Sequence, residues 1–504
     1  MSVPAEQIQQ AMTLAELLEG YVDAPDIAVH GISSDSRTLQ EGDLFLACQG
    51  LSNHGMDFVD DAVRAGVVAI AFDSSTAALP NRDLPVPVLP IRNLGKHLGN
   101  VANRFFAAPS ASVRVIGITG TNGKTTVAWM IAQCLERLGE PCAYIGTLGA
   151  GLVEVDMRAG MTTPASIDIH RTLAEFRDLG ARSVALEVSS HALDQNRVDG
   201  VAFDSVLFTN LSRDHLDYHG DIQSYGDAKA RLFFEYSARQ RIINLDAKFG
   251  AQLAERCGSD VIVVSMDPQR IPGLRPYVFV ESVTAKAVGS QVRVRSSWGD
   301  CEFLLPLPGD FNVENALLTL ALLLGQGVPV EKACAVLEVI DAPPGRMQRV
   351  SAKLNAPAVY VDYAHTPDAL QLTLQALRQH CGGKLWCVFG CGGDRDRGKR
   401  PQMGKVAQTF ADVPVVTSDN PRTESPHDII AEIAAGMDHP YEATIIEDRA
   451  AAIAWVIQEA GDGDVVLIAG KGHENYQLIG AERRDFSDVG TALVNLQRRA
   501  EASR

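Results

Sequence analysis

A glycine-rich turn that ends in Gly-Lys-Thr restricts the possible folds of this chain more than any other feature. The turn occupies residues 117–126, with the sequence GITGTNGKTT. The apolar run at residues 113–118 predicts a buried parallel strand, and the apolar spacing of residues 127–138 predicts a helix. The turn would then lie at a helix N-terminus, where backbone N–H groups surround phosphate oxygens. We therefore predict a nucleoside triphosphate site.

Two side chains of this turn suit a triphosphate with Mg²⁺. Lys124 can reach the β- and γ-phosphate oxygens, and the hydroxyl of Thr125 can bind Mg²⁺. Ile118 stands where the generic phosphate-loop spacing has its first glycine, so this loop is a narrower variant of the motif. The alternative is a strand-to-helix turn that binds nothing, and the completeness of the motif argues against it.

Length and composition limit the class of protein. A chain of 504 residues is too long for one hydrophobic core and predicts two to four domains. It has no run of about 18 apolar residues, and its N-terminus lacks a basic segment followed by an apolar one, so we expect neither a membrane span nor a signal peptide. Nine scattered cysteines without a Cys-x-x-Cys pair favour a reducing cytoplasm and argue against a zinc site.

The charge balance argues against a general nucleic-acid binder. Lysine and arginine number 45, and aspartate and glutamate number 62, which gives a net charge of −17. A protein that binds nucleic acid by neutralising its phosphates needs the opposite balance. An anionic small molecule is still compatible with this charge, because arginine-rich segments could form a local basic site.

Apolar runs that alternate with helical patterns divide the chain into three α/β blocks. The first ends near residue 110, within a predicted linker at residues 107–112, and the second ends near a Pro-Pro-Gly sequence at residues 343–345. Several predicted strands end in polar clusters, as expected where an open parallel sheet forms a site at the carboxyl edge of its strands. The predicted strands are residues 43–48, 67–71, 113–118, 183–188, 205–210, 358–362, 385–389, 415–417 and 465–469.

Three residues of the second block are candidates for metal or phosphate chemistry. Glu187 closes a predicted strand and could lie beside a Mg²⁺ ion that bridges phosphates, although a solvated strand end is the alternative. His215 lies in the polar cluster after the next strand and is a candidate metal ligand, with a plain polar loop as the alternative. Lys229 lies on a predicted amphipathic helix, where the residues alone favour a surface charge.

Glycine-rich and arginine-rich turns follow the predicted strands of the third block. Residues 390–397 and 418–422 place arginines at strand exits, where planar, bidentate binding of a carboxylate is favourable. Glu474, in the turn at residues 469–474, could pair with an ammonium group. The alternatives are surface ion pairs and a tight turn with a solvated glutamate. Pro367 marks a predicted helix start.

Together, these motifs resemble those of the Mur ligases, ATP-dependent enzymes that form amide bonds in peptidoglycan precursor synthesis. In that family, ATP phosphorylates a carboxylate, and an amino group attacks the acyl phosphate to give an amide, ADP and phosphate. The resemblance implies a cytoplasmic enzyme of this type. The matching segments are residues 35–37, 119–126, 187–191, 210–219, 345–347, 362–370 and 470–474.

The resemblance also implies a three-domain α/β architecture. Residues 1–110 would bind the UDP substrate, and residues 111–343 would form a central ATPase domain with a P-loop-type parallel sheet. Residues 344–504 would form a Rossmann-like domain that binds an amino acid. We expect a monomer with small-molecule substrates, no nucleic-acid partner and no membrane span.

The ATP and Mg²⁺ residues of the family can be placed on this chain by resemblance. Lys124, Glu187, His215 and Lys229 would be catalytic. Mg²⁺ would be bound by Thr125, Glu187, His215 and a carbamate that CO₂ forms on Lys229, which overrules the surface interpretation of this lysine. ATP would be bound by Gly120, Thr121, Asn122, Gly123, Lys124, Thr125, Thr126, Asn312, Asn315 and Arg346.

The same resemblance implies two further substrate sites. Met161 departs from the pattern, since the family usually has an asparagine there, and a thioether cannot replace the hydrogen bonds of an amide. UDP-N-acetylmuramoyl-L-alanyl-D-glutamate would contact Ser34, Ser36, Leu51, Ser52, Asn53, Thr162, Thr163, Ser189, Gln195 and Arg197. The incoming amino acid would contact Arg395, Asp419, Asn420, Pro421, Arg422, Gly470 and Glu474.

The Asp-Asn-Pro-Arg sequence at residues 419–422 resembles that of family members that add meso-diaminopimelate rather than lysine. This amino acid carries a second carboxylate that lysine lacks, and a guanidinium would stay unpaired with lysine bound. The alternatives are a folylpolyglutamate synthetase-like ligase, a non-catalytic sensor of muramoyl peptides, and a motor-type P-loop ATPase. The N-terminal block and the Asp-Asn-Pro-Arg sequence argue against the folylpolyglutamate synthetase-like ligase. The intact catalytic set argues against the sensor, and Ile118 argues against the motor-type ATPase.

Overall fold

The structure, a computed structural model, describes residues 12–50, 52–79, 81–152, 161–271, 273, 275–286, 288–350 and 356–502. The chain divides into two compact units. The first combines Met1–Lys124 with Gly139–Arg241, and the second combines Thr125–Leu138 with Ile242–Arg504. Each unit contains parallel strands joined through helices, so the predicted α/β class is confirmed. The predicted limits of the three domains stay a prediction.

The N-terminal part of the first unit is built on a four-stranded parallel sheet. Its strands are β3 (Gly31–Ser33), β4 (Asp43–Ala47), β5 (Ala69–Asp73) and β6 (Val88–Ile91), in that order, preceded by an antiparallel ribbon of β1 (Met12–Thr13) and β2 (Ala28–Val29). The helices are α1 (Leu14–Leu17), α2 (Val59–Ala65) and α3 (Leu98–Phe105). Leu44 and Leu46 pack with residues of α1 and α3, whereas Phe45 and Ala47 pack with residues of α2. The sheet is therefore covered on both faces, which explains the continuous apolar run of β4.

The remaining part of the first unit carries the phosphate loop on a second sheet. Its strands are β7 (Arg114–Thr119), β8 (Cys142–Gly146), β9 (Gly149–Gly151), β10 (Ser183–Glu187) and β11 (Phe203–Phe208). Its helices are α4 (Lys124–Arg137), which continues into the second unit, α5 (Ser166–Asp178), α6 (Ser190–Asp194), α7 (Leu216–His219) and α8 (Ile222–Phe234). The strand order is β11-β7-β10-β8-β9, parallel except for β9. The loop after β7 thus lies between the ends of β10 and β11, the usual position of a ligand site in such sheets.

The second unit begins with a mixed sheet. The strands are β12 (Gln240–Asn244), β13 (Ile262–Ser265), β14 (Tyr277–Ala285), β15 (Ser290–Ser296) and β16 (Cys301–Leu305). The first three are parallel and the last two run antiparallel to their neighbours. The helices are α9 (Lys248–Cys257), α10 (Asp310–Gly325) and α11 (Val330–Leu337). Most side chains of α10 are buried around its whole circumference, as expected for a core helix with few polar residues.

The C-terminal part of the second unit is a six-stranded sheet with a separate hairpin. The strands are β17 (Gln348–Arg349), β18 (Ala358–Asp362), β19 (Leu385–Phe389), β20 (Val413–Val416), β21 (Thr444–Ile445), β22 (Val465–Ala469), β23 (Tyr476–Ile479) and β24 (Glu482–Asp485). The helices are α12 (Pro367–Arg378), α13 (Lys399–Phe410), α14 (Pro426–Ala434), α15 (Arg449–Glu459) and α16 (Asp488–Ala502). The sheet order is β17-β18-β22-β19-β20-β21, parallel except for β17, and β23 pairs with β24.

Alternate residues of this C-terminal sheet face two different apolar clusters. Val359 and Val361 pack with residues of α15 and α16, whereas Tyr360 and Leu467 pack with residues of α12, α13 and α14. Both faces are buried, so the strands read as uninterrupted apolar runs. The carboxyl ends of β18, β19, β20 and β22 consequently lie along one edge, where their glycine-rich turns follow.

The elements predicted from the sequence agree with those of the structure to within a few residues. The predicted helix at residues 127–138 begins slightly earlier, at Lys124, and Pro367 begins α12 as predicted, with Thr366 as its N-cap. The predicted linker at residues 107–112 contains a short 3₁₀ turn, Pro109–Ala111. Within the described part of the chain, every helix is too short or too polar to span a bilayer.

Candidate active site

The predicted phosphate loop connects β7 to α4. Gly120 has a φ of +148°, and a Cβ at this position would overlap the hydroxyl of Thr209, so the loop passes too close to the end of β11 for a larger residue. Asn210 holds the loop from the same side. Its backbone oxygen accepts a hydrogen bond from Thr121 N at 2.9 Å, and its side-chain oxygen accepts one from Asn122 N at 3.0 Å. The polar segment that follows β11, which was predicted to contain the candidate ligand His215, therefore supports the loop.

Two lysine side chains meet at one backbone oxygen of this loop. Lys124, which begins α4 and is followed by Thr125 and Thr126 in its first turn, donates from Nζ to Gly120 O at 2.9 Å. Lys229 Nζ, from α8, donates to the same oxygen at 2.8 Å. Lys229 is 1% exposed, so the surface position favoured by the residues alone is wrong. Burial, and then the charge of Lys124, hold the pKa of Lys229 well below its ordinary value.

Glu187 is fully buried at the end of β10, so the alternative of a solvated strand end is wrong. Its Oε1 accepts hydrogen bonds from the hydroxyl of Tyr144 and from Thr147 N, the latter at 3.0 Å. Its Oε2 accepts one from Thr147 Oγ1 at 3.1 Å, and that hydroxyl also lies 3.2 Å from Thr162 Oγ1. A Cβ at Gly146 would overlap Glu187 Oε1. The end of β8 thus holds this carboxylate in place.

Several of the residues predicted to bind the muramoyl peptide form one hydrogen-bond network next to Glu187. Thr163 Oγ1 donates to the backbone oxygen of Glu187 at 2.8 Å and accepts from Ser189 N at 3.0 Å. Arg197 Nη1 donates to Thr163 O at 2.9 Å, and its Nη2 donates to Gln195 Oε1 at 2.6 Å. The loop before α5 and the segment around α6 are joined by these bonds, which brings the predicted residues together.

His215 lies among other aromatic rings at the start of α7. It has a φ of +52°, its side chain is 48% exposed, and its Nε2 lies 3.4 Å from Asp214 Oδ2. Its ring centroid is 4.9 Å from that of His191 and 6.0 Å from that of Tyr225. Burial, and then the charge of His215, lower the pKa of His191. The imidazole of His215 is therefore accessible to a ligand.

The structure only partly brings together the five N-terminal residues that were predicted to contact the UDP substrate, which are Ser34, Ser36, Leu51, Ser52 and Asn53. A cavity of about 480 Å³ is lined by Ser34, the loop after β3 and residues of α5, including Arg171. Ser36 does not line it, and Ser52 and Asn53 lie exposed elsewhere on the described surface. Leu51 lies outside the described residues.

Met161 occupies the position where the resemblance placed an asparagine. Its side chain is 52% exposed. A large apolar side chain with this much exposed surface has no core-packing role, so the departure from the family pattern lies on the surface of the first unit.

Asn312, Asn315 and Arg346, which were predicted to bind ATP, belong to the second unit. Asn312 and Asn315 are buried in the first turns of α10, and Asn312 Nδ2 donates to Pro308 O at 2.8 Å. The guanidinium carbon of Arg346 lies 4.5 Å from the ring centroid of Tyr363. Its Nε is buried and has no hydrogen-bond partner among the described residues. An unpaired buried donor of this kind is costly, which favours a ligand oxygen beside it.

The acidic part of the predicted amino-acid pocket forms a compact cluster in the second unit. Asn420 Nδ2 donates to Glu474 Oε2 at 2.8 Å, and a Cβ at Gly470 would lie 2.7 Å from Asp419 Oδ2. Lys471 Nζ donates to Asn420 Oδ1 and Glu474 Oε2, each at 3.0 Å. The ammonium group that pairs with Glu474 in this structure therefore belongs to Lys471 of the protein itself.

Both predicted arginines of the pocket lie beside one glycine. A Cβ at Gly392 would be 2.9 Å from Arg422 Nη1 and 3.7 Å from Arg395 Cγ. Arg422 Nη1 donates to Gly393 O at 2.8 Å, and its backbone φ is +52°. Pro421 is buried directly before it. The turns after β19 and β20 thus bring Arg395 and Arg422 to the same place.

Three residues of the candidate site were missed by reasoning from the sequence. Tyr144 and Thr147 hold Glu187 but lie at the end of β8, a strand that had not been recognised. The signal was present, because an apolar run is followed there by a Gly-Thr turn at residues 146–147. Lys471 lies inside the segment at residues 470–474 that matches the family, but nothing in the local sequence distinguishes a buried lysine from an exposed one.

A phosphate loop at the end of a central parallel strand, with buried lysine and glutamate side chains beside it, defines a nucleotide-binding α/β enzyme. Three family models match this chain. They describe the Mur ligase family catalytic domain at residues 28–106, the Mur ligase middle domain at residues 118–323, and the Mur ligase glutamate ligase domain at residues 345–472.

Similar proteins extend over nearly the whole chain. A UDP-N-acetylmuramoyl-L-alanyl-D-glutamate–2,6-diaminopimelate ligase of Coxiella burnetii is 43% identical over 482 residues, which cover 95% of this chain and 98% of the relative. The ligase of the same name from Xanthomonas campestris pv. campestris is 43% identical over 491 residues, 97% of this chain and 98% of the relative. The chain belongs to the Mur ligase family, and the resemblance stated from the sequence is confirmed.

Solved structures agree with this result. A 2,6-diaminopimelate ligase of the same name has a TM-score of 0.72 and 32% identity, covering 97% of this chain and 99% of that one. A folylpolyglutamate synthase of Mycobacterium tuberculosis has a TM-score of 0.59 and 18% identity, covering 74% and 92%. The latter likeness is one of fold alone.

Proposed function

We propose that this chain joins meso-diaminopimelate to UDP-N-acetylmuramoyl-L-alanyl-D-glutamate, with ATP and through an acyl phosphate. The observation that carries the proposal is the joint placement of Arg395 and Arg422 near Asp419, Asn420 and Glu474 in the second unit. Guanidinium groups suit a carboxylate, and carboxylates suit an ammonium group. Relatives that share 43% identity over almost the full length carry the name of this activity, which supports the assignment.

The residues predicted to bind Mg²⁺ fit that ion by their donor chemistry. Mg²⁺ prefers oxygen ligands and retains water or phosphate oxygens, so it needs few protein ligands. Glu187 offers a carboxylate and Thr125 a hydroxyl, with His215 as a further ligand. A carbamate on Lys229 would add oxygens, and the lowered pKa of this lysine favours the uncharged amine that reacts with CO₂.

Among the described residues, no three His, Cys, Asp or Glu side chains gather as a metal centre of their own. The predicted set contains one carboxylate and one imidazole and relies on a hydroxyl and a carbamate for the rest. When bound, Mg²⁺ would neutralise charge on the phosphate oxygens.

The protein's own groups would then act in sequence. The N–H groups of the phosphate loop and Lys124 hold the triphosphate, and Lys124 stabilises charge on the γ-phosphoryl group as it moves to the substrate carboxylate. The network of Thr163 and Arg197 orients the muramoyl peptide beside Glu187. The amine nitrogen attacks the carbonyl carbon of the acyl phosphate, phosphate leaves with the bonding electrons, and the amine loses a proton.

Phosphate release from ATP tests the proposal. The protein is given UDP-N-acetylmuramoyl-L-alanyl-D-glutamate together with meso-diaminopimelate, with L-lysine, or with no amino acid. The proposal requires release with diaminopimelate and little with the other two. Release with lysine would keep a ligase but reject the assigned amino acid. Binding of the nucleotide sugar without any release would favour a sensor. Lys124→Ala serves as the inactive control, since it removes the main phosphate cation.

A further inference from the structure

Lys471 is a buried cation in the amino-acid pocket of the second unit, and none of the motifs assigned it a role. Its side chain has no exposed surface. Its Nζ lies 3.0 Å from Glu474 Oε2 and 3.6 Å from Asp419 Oδ1, and it donates to Asn420 Oδ1 at 3.0 Å. One ammonium group therefore lies between two carboxylates that both belong to the predicted pocket.

Lys471 also restricts the orientation of Glu474. The Oε2 atom of Glu474 accepts hydrogen bonds from Lys471 Nζ and from Asn420 Nδ2, at 3.0 and 2.8 Å. Its Oε1 atom makes no hydrogen bond to any residue that the structure describes, and 19% of the side chain is exposed. Glu474 can therefore present Oε1 to a ligand while Oε2 stays fixed by the protein.

The burial of Lys471 makes its charge important. Little water screens a charge in such a place, so it acts strongly on its neighbours. Besides Asn420, those neighbours are Asp419, Glu474 and the ring of Tyr476, whose centroid lies 5.5 Å from Nζ. Without the ammonium, two carboxylates would face this side of the pocket with no cation between them. The pocket would become more negative by one unit of charge.

We propose that Lys471 is a positioning residue that also sets which amino acid the pocket accepts. Lys471 fixes Glu474 and offsets the negative charge of one of the two carboxylates. The pocket then favours an amino acid whose free end carries both an ammonium and a carboxylate over one whose free end carries an ammonium alone. The free end of diaminopimelate has no net charge, whereas that of lysine is +1, and Lys471 repels the excess positive charge. This inference rests on the proposed function, because it concerns the same pocket.

The test is the ratio of kcat/KM for meso-diaminopimelate to that for L-lysine, measured by phosphate release. We compare the wild type with Lys471→Met, which keeps most of the length of the side chain and removes its charge. Lys405→Met, an exposed lysine on α13, is the matched control. We expect the ratio to fall at least about tenfold in Lys471→Met, with KM for ATP unchanged, and to stay constant in the control.

Two further variants separate charge from packing. In Lys471→Met with Asp419→Asn, one carboxylate is lost together with the ammonium, and part of the preference for diaminopimelate should return. Asp419→Asn alone makes the site more positive and should raise the ratio of kcat/KM for diaminopimelate to that for lysine. This variant tests the effect of charge on the preference if Lys471→Met does not fold. An equal loss of activity with both amino acids, or an unchanged ratio, would overturn the inference. A wild type that releases no phosphate with diaminopimelate would instead reject the proposed function.

Discussion

Arg449 and Asp488 form a bidentate ion pair in which neither side chain has any exposed surface. Arg449 Nε lies 2.7 Å from Asp488 Oδ1, and its Nη2 lies 2.8 Å from Asp488 Oδ2. The same Nη2 donates to Ala469 O at 2.8 Å, directly before Gly470. The pair therefore joins α15 and α16 to the end of β22, where the turn of the proposed amino-acid pocket begins.

Loss of one partner from this pair should destabilise the protein strongly. In Asp488→Ala the guanidinium of Arg449 would stay buried without its counter-charge, which typically costs about 3–5 kcal/mol of unfolding free energy. Urea denaturation followed by circular dichroism measures the change. As a control, Glu482→Ala breaks an ion pair with Arg484 in which both side chains are more than half exposed, and little change is expected. Equal losses in both variants would contradict the assigned role of burial.

Glu314 should make the stability of the second unit depend on pH. Burial, and then the charge of Asp246, raise the pKa of Glu314 from 4.5 to about 7. A raised carboxyl pKa means that the folded state prefers the neutral form. Its contribution to stability is therefore complete below pH 4.5 and is lost as the pH rises through 7.

Replacement of Glu314 by glutamine isolates this contribution. Glu314→Gln should be more stable than the wild type at pH 8, by up to about 3 kcal/mol, and should differ little at pH 4.5. Thermal unfolding at a series of pH values gives both numbers. Glu331→Gln, an exposed glutamate on α11, is the matched control and should follow the wild type. A constant difference between Glu314→Gln and the wild type at all pH values would show that the charge of Glu314 is not the cause.

The sequence predicted nine strands correctly, because buried parallel strands have a distinctive apolar pattern, but it did not predict β8 or the strands β12 to β16. Residues 184–186 and 465–469 are apolar at successive positions, since both faces of their sheets are covered. The polar clusters that follow several of these strands also indicated where the strands end and the turns begin.

Burial of single charged residues could not be predicted in this way. Lys229 and Lys471 stand in segments with ordinary helical or turn composition, and their burial depends on elements far away in the chain. The contacts of Glu187 with Tyr144 and Thr147 depend likewise on strand order, which brings β8 next to β10. The local sequence does not contain that order, whereas resemblance to a family supplied the predicted role of Lys229.

Lys229 should be essential for catalysis, and its loss should be partly repaired by a small acid. Lys229→Ala removes the group on which a carbamate would form, and kcat should fall by at least about 100-fold. A short-chain carboxylate such as acetate can enter the space left by the side chain and supply oxygens in place of the carbamate. Phosphate release with and without acetate measures the recovery.

Controls for this variant separate local chemistry from general effects of the salt. Lys248→Ala changes an exposed lysine on α9 and should keep full activity at every acetate concentration. Full activity of Lys229→Ala without acetate would reject a carbamate role, and an equal response of both variants to acetate would reject specific rescue.

Arg422 should contribute to binding of diaminopimelate and not to binding of ATP. Its Nη1 is held by Gly393 O, so the planar guanidinium is oriented before a ligand arrives. Loss of a hydrogen-bonded charge at this position in Arg422→Ala should raise KM for diaminopimelate by about 10- to 100-fold, because such bonds contribute about 1.5–3 kcal/mol. KM for ATP should change little. Arg483→Ala is the matched control, since this exposed arginine contacts the ring of Tyr476 on the neighbouring hairpin. An unchanged KM for diaminopimelate in Arg422→Ala would remove this arginine from the pocket.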